Sequence, residues 1–159
     1  MERPAVWRLA DEGETVALGP NRVRFLLGTD ETGGSFSLTE FLMAPPPAPG
    51  PPMHVHAEEE ETVYLLGGNL EASVAGEMRK VSTGGAVHVP RGVPHTLNNL
   101  GPGPARLLVI QSPAGAERYW AEAARLLASS DGSPDPARMQ ALAARYHITF
   151  QGERRFTDN

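Results

Sequence analysis

Two histidines two residues apart, His54 and His56, stand just before a run of four glutamates, Glu58 to Glu61. A third, His95, follows the Pro/Gly-rich segment PRGVP. On a β-strand, residues i and i+2 project to the same face, so His54 and His56 can aim together into one interior. Glu61 shares parity with Val63 and Leu65 along the next apolar run, and the PRGVP turn can deliver His95 from another side. Imidazole and carboxylate are the nitrogen and oxygen donors that hold divalent transition metals. The chain has no cysteine, which excludes disulfides and thiolate sites and leaves any metal to such donors. A lone histidine in a strand is usually a satisfied polar residue, and an acidic run is usually solvated.

A longer pattern decides between these readings. GGAVHVPRGVPHTLNN, residues 84–99, satisfies G-x5-P-x-G-x2-H-x3-N through Gly84, Pro90, Gly92, His95 and Asn99. At this composition the match arises by chance on the order of once in ten thousand chains of this length. The earlier stretch reads H-x-H-x4-E-x6-G through His54, His56, Glu61 and Gly68. Together the two stretches resemble the paired motifs of the cupin superfamily. The short spacing from Gly68 to Gly84 is similar to that of microbial single-domain cupins. One position departs: where the first motif often begins with Gly, this chain has Ala48, with Gly50 nearby.

The resemblance implies that His54, His56, Glu61 and His95 bind one divalent metal, Fe, Mn, Ni, Co, Cu or Zn. Four such ligands on an octahedral ion leave two positions open, the mark of a catalytic site. Glu60 competes for the carboxylate role if the turn is one residue shorter; Glu61 is preferred because it alone places Gly68 correctly. Gly84, Pro90, Gly92 and Asn99 are expected to shape turns. The layout also resembles small bacterial proteins related to quercetin 2,3-dioxygenase. That implies a dioxygenase acting on a flavonol-like aromatic or enolisable small molecule, with Glu61 as both ligand and general base. Val63, Leu65, Val87 or Val89, and Leu97 would line an apolar barrel for a flat substrate. His88 is a candidate substrate-binding residue. Two alternatives stand beside this reading. One is a non-oxidative isomerase, decarboxylase or cyclase, for which His88 would be the additional base. The other is a non-catalytic small-molecule-binding protein.

The elements that must position these residues are short apolar runs punctuated by 17 Gly and 15 Pro, the texture of an all-β sandwich or barrel. Strands are expected at 14–19, 21–29, 35–44, 53–57, 61–68, 69–76, 77–83, 85–90, 95–100 and 105–112. DETGG (30–34) is expected to be a hairpin-type turn. After Ser112 the texture turns helical. One helix is expected within 113–130, with Tyr119, Ala123, Leu126 and Leu127 at helical spacing. A second is expected within 131–148, with Asp135 as N-cap, Pro136 at its first position, and Met139, Leu142, Ala143 and Tyr146 as its apolar stripe. The expected architecture is an all-β cupin jelly-roll barrel over residues 1–112, with a two-helix extension over 113–159 packed on it.

The 159 residues make one domain, large enough to bury ~68–70% of its unfolded surface. The net charge of −5, from 14 basic and 19 acidic residues, carries no nucleic-acid footprint; Arg154 and Arg155 are an isolated basic pair. There is no apolar leader at the N-terminus and no apolar run near the ~20 residues of a membrane span. A soluble cytoplasmic protein is expected, acting on a small molecule, with no nucleic acid or membrane partner. Because cupins commonly pair through sheet edges, a homodimer is expected.

Overall fold

The computed structural model describes residues 4–130 and 135–152, so Arg154 and Arg155 lie outside the described residues. The chain runs β1 Thr15–Leu18, β2 Asn21–Leu27, a one-turn helix α1 Thr29–Thr32, β3 Ser37–Met43, β4 His54–His56, β5 Glu60–Gly67 and β6 Asn69–Val74. It continues with β7 Glu77–Ser82, β8 Ala86–Val89, β9 His95–Asn99, β10 Ala105–Ser112, α2 Ala116–Ala128, α3 Pro136–Arg145 and β11 Ile148–Phe150. Two antiparallel sheets form, β1-β2-β3-β10-β5-β8 and β11-β4-β9-β6-β7. The expected all-β jelly roll with two C-terminal helices is therefore present.

Alternation puts one side of each strand in the core. Along β10, Ala105, Leu107, Val109 and Gln111 are buried, while Ile110 is exposed. Along β5, Glu61, Val63 and Leu65 are buried and Tyr64 faces out. Met43, Val63, Leu65, Leu70, Ala72, Leu97, Ala105, Leu107 and Val109 pack into one cluster, with Phe41, Val81 and Val87 against it. Leu65, Val63 and Leu97, expected to line an open pocket, are instead filled space between the sheets. The reason is volume: two sheets pack about 10 Å apart, and branched side chains from both faces occupy that gap.

Asn99 acts as a turn-maker through its side chain. Its Nδ2 donates to the carbonyls of Met43, Ala44 and Gly103, and its Oδ1 accepts from Gly101 N–H.

Two local elements differ from the sequence reading. DETGG holds a helical turn: Glu31 accepts from Gly28 N–H at 2.9 Å, and Gly33 ends the turn in the left-handed region. β2 and β3 still pair antiparallel around it. At the other end, the helix expected to reach residue 148 stops at Arg145. Asp135 caps its start through Ala137 N–H, as the Asp-Pro signal implies. After it, His147 turns at φ 55°, and Ile148–Phe150 pair with β4 in the register Ile148↔His56 and Phe150↔His54. Ala57 N–H to His147 O (3.0 Å) and Gln151 N–H to Met53 O (2.8 Å) extend this pairing. The free edge of β4 selects the strand, a long-range pairing that local periodicity does not register.

Ile148 is buried with Tyr119, Ala123, Met139, Leu142 and Ala143 in a second cluster that seats α2 and α3. Ile148→Ala is expected to cost about 2–4 kcal/mol, read as a lower midpoint in denaturant at unchanged slope. A loss below about 0.5 kcal/mol would show that this strand contributes little to holding β4.

Candidate metal centre

Four side chains of the two motifs meet between the sheets. β4 presents His54 and His56 to the interior, two residues apart as the strand period requires. β9 brings His95 directly opposite His54 across the ladder. Glu61 reaches in from β5, on the other sheet. His56 Nε2 lies 3.6 Å from Glu61 Oε2, and His95 Nε2 lies 3.5 Å from Glu61 Oε1. One ligand atom from each of the four falls within 4.8 Å of the others. Their exposures are 4%, 2%, 5% and 1% for His54, His56, Glu61 and His95, so bulk solvent does not reach them.

The polar atoms left over here report what the site fits. His56 Nδ1, His56 Nε2 and His95 Nε2 are buried without a hydrogen-bond partner. Buried nitrogens without partners are costly, and the convergence of the two Nε2 atoms on the Glu61 carboxylate is relieved by a shared cation. Ring orientation agrees. His54 Nδ1 is 2.8 Å from Pro52 O, and His95 Nδ1 is 3.0 Å from Val93 O. A carbonyl can only accept, so each Nδ1 carries the proton and each Nε2 keeps its lone pair for the centre. The residues fit a divalent metal held by three imidazoles and one carboxylate.

The electrostatics describe the same competition. Burial raises the Glu61 carboxyl, but His95 at 3.5 Å, with the charges of His56 and His54 behind it, outweighs this and holds it at about 2. Burial also lowers His95, yet Glu61 opposite wins and raises it. His54 drops to about 3, mainly through burial, then through the charge of His95.

The glutamate run divides by parity. Glu58 is exposed near His147, at 3.5 Å, and Glu60 is turned outward, 3.7 Å from Arg91. Glu61, not Glu60, joins the three histidines. His88 is not brought to them. It pairs with Thr62 across β5 and β8, on the face opposite Glu61 and Val89, and its Nδ1 is 2.9 Å from Thr62 Oγ1. The odd register offset between His88 and Val89 puts them on opposite faces. His88 therefore stands on the outer surface, which corrects its place as a pocket residue.

Two residues escaped the sequence reading. Gln111 Nε2 donates to Glu61 Oε2 at 3.0 Å, and Gln111 is fully buried. Its signal was a polar residue in phase with Leu107 and Val109. Glu59, also buried, lies beside His56. A crevice of about 20 Å³, room for one water, reaches His54 between Pro51, Pro52, Tyr119, Trp120, Ile148 and Phe150.

Residues 41–111, which carry all four residues, match the cupin domain family. The fold is that of a cupin. The cupin likeness extends to solved structures. KdgF from Halomonas sp. superposes with a TM-score of 0.64 at 17% identity, over 72% of this chain and 99% of that one. A predicted oxalate decarboxylase from Thermotoga maritima gives 0.60 at 17% identity, over 69% and 99%. The polyketide cyclase RemF from Streptomyces resistomycificus gives 0.58 at 27% identity, over 68% and 80%. The first two are likenesses of fold. No curated protein matches in sequence. Among the described residues, no helix is long and apolar enough to cross a membrane.

Proposed function

We propose that this cupin is a metal-dependent enzyme, a dioxygenase acting on a flavonol-like aromatic or other enolisable small molecule. The observation that carries the metal reading is the buried cluster of three imidazoles and one carboxylate, with unpartnered nitrogens facing inward. A divalent ion there would supply Lewis acidity, lowering the pKa of a coordinated substrate hydroxyl and leaving positions open beside the four ligands. Glu61 stays ionised across the physiological range and so can accept a proton. Its basicity is low, so it suits a hydroxyl made strongly acidic rather than a carbon acid. Gln111 holds one carboxylate oxygen in place. Tyr119, Trp120 and Phe150 line the narrow crevice beside His54, which holds about one water, so a planar substrate would need this wall to open.

His88 on the outer face removes the additional base that a non-oxidative isomerase or decarboxylase would call on, and this favours the oxygenase reading. The likeness to RemF favours a second reading, cyclisation of a polyketide-type substrate without oxygen. One experiment separates them. The metal-reconstituted protein is offered flavonols and linear poly-ketones in an oxygen-electrode cell, with products followed by mass. Oxygen uptake matched to substrate loss supports the dioxygenase. Conversion at the same rate under argon, with loss of water and no oxygen incorporated, would replace it with the cyclase. Turnover of neither class would sink both.

A further inference from the structure

The geometry points to Glu59 as the positioning residue of the metal centre, a buried carboxylate that faces the Nδ1–H of His56 and so aims its Nε2 at the ion. This rests on the four-residue cluster being a metal centre, and not on which reaction follows. His54 and His95 each have a backbone carbonyl on Nδ1. His56 has none, and its Nδ1 is buried and unpartnered. The group facing it is Glu59 Oε2, 3.6 Å away and likewise buried without a hydrogen bond. His56 is thus flanked by a carboxylate on each ring nitrogen, Glu59 at Nδ1 and Glu61 at Nε2. At 3.6 Å the pair lies just beyond hydrogen-bond distance, as an ion pair.

The neighbours show that Glu59 is not simply a member of an acidic turn. The Glu58 side chain is 60% exposed and that of Glu60 45%, and each has a basic partner at the surface. The Glu59 side chain is 9% exposed, and among the described residues the basic group paired with it is His56. A charge taken from water is retained when it meets a charged or strongly polarised donor, and an imidazole bonded to a cation is such a donor. A carboxylate behind the ring also makes it a better electron donor than a carbonyl does.

The test is zinc affinity by chelator competition for the wild type, Glu59→Gln, Glu59→Ala, and the controls Glu58→Gln and Glu60→Gln. Each glutamine control removes one charge from the same run without touching His56. The two Glu59 variants are expected to bind zinc about 10–100-fold more weakly, and the controls to change by less than about threefold. A second readout needs no variant. In zinc-loaded wild type, the His56 ring N–H should resonate farther downfield than those of His54 and His95, since its acceptor is anionic. Equal affinity across all the glutamine variants, or a His56 N–H no farther downfield than the other two, would overturn the assignment. Wild type that binds no zinc would overturn the metal centre itself, a distinguishable failure.

Discussion

Replacing His54 and His56 together by alanine is expected to take the purified protein from near one divalent metal per chain to almost none. These two side chains are half of the donor set, and each places one ligand atom within the 4.8 Å cluster, His56 through its Nε2 at 3.6 Å from Glu61. Removing a group that only supports a metal ligand typically costs 10–100-fold in affinity, so removing two ligands should cost well beyond a hundredfold. The measurement is elemental mass spectrometry on protein purified without chelator, then repeated after reconstitution. The fold should survive, because the imidazoles are polar groups that the packed cluster around Leu65 and Leu107 does not use. A variant that keeps one metal per chain would mean that the ion sits elsewhere.

The second large effect is on the metal-free protein. Its stability is expected to peak near pH 6.5 and to fall steeply on the acid side. His54 is held at about 3 in the folded chain against 6.5 in the unfolded one. Below pH 6.5 the unfolded state takes up a proton that the folded state refuses, so stability drops as pH falls from 6.5 towards 3. The slope is about 1.4 kcal/mol per pH unit, or about 2 kcal/mol lost by pH 5. Glu61, lowered to about 2 from 4.5, adds stability above pH 4.5 that is lost as pH falls further. His95 works in the opposite sense. Its raised value gives stability that is full below 6.5 and disappears as pH rises through the folded value. Thermal melts of chelator-treated protein at pH 5.0, 6.5 and 8.0 check this, with His54→Ala removing the acid limb. A midpoint that stays level from pH 6.5 to 5.0 would contradict the burial of a neutral His54.

Much of this centre was legible in the chain itself. The spacing of His54 and His56 equals the strand period, and the Pro/Gly frame around His95 is improbable by chance, so with the family resemblance their types and positions marked them as candidate donors. Strand existence was equally legible, because ETVYLLGG and ARLLVIQS are short apolar, β-branched-rich runs set among Gly and Pro, although which of their faces is buried was not. Local signals also placed the start of the last helix at Asp135-Pro136.

What sequence alone determined, then, were most of the strands, the start of the last helix and the donor types, since these arise from periods of two to four residues and from side-chain chemistry. Tertiary structure decided which of those groups meet. Register across β5 and β8 turned His88 outward, and parity within the glutamate run sent Glu59 and Glu61 inward and Glu58 and Glu60 out. The open edge of β4 drew Ile148–Phe150 out of a helical context into a sheet. Cross-strand pairing placed Gln111 beside Glu61, 50 residues apart in the chain. Each of these outcomes depends on contacts between residues distant in sequence, whose energies no local window contains.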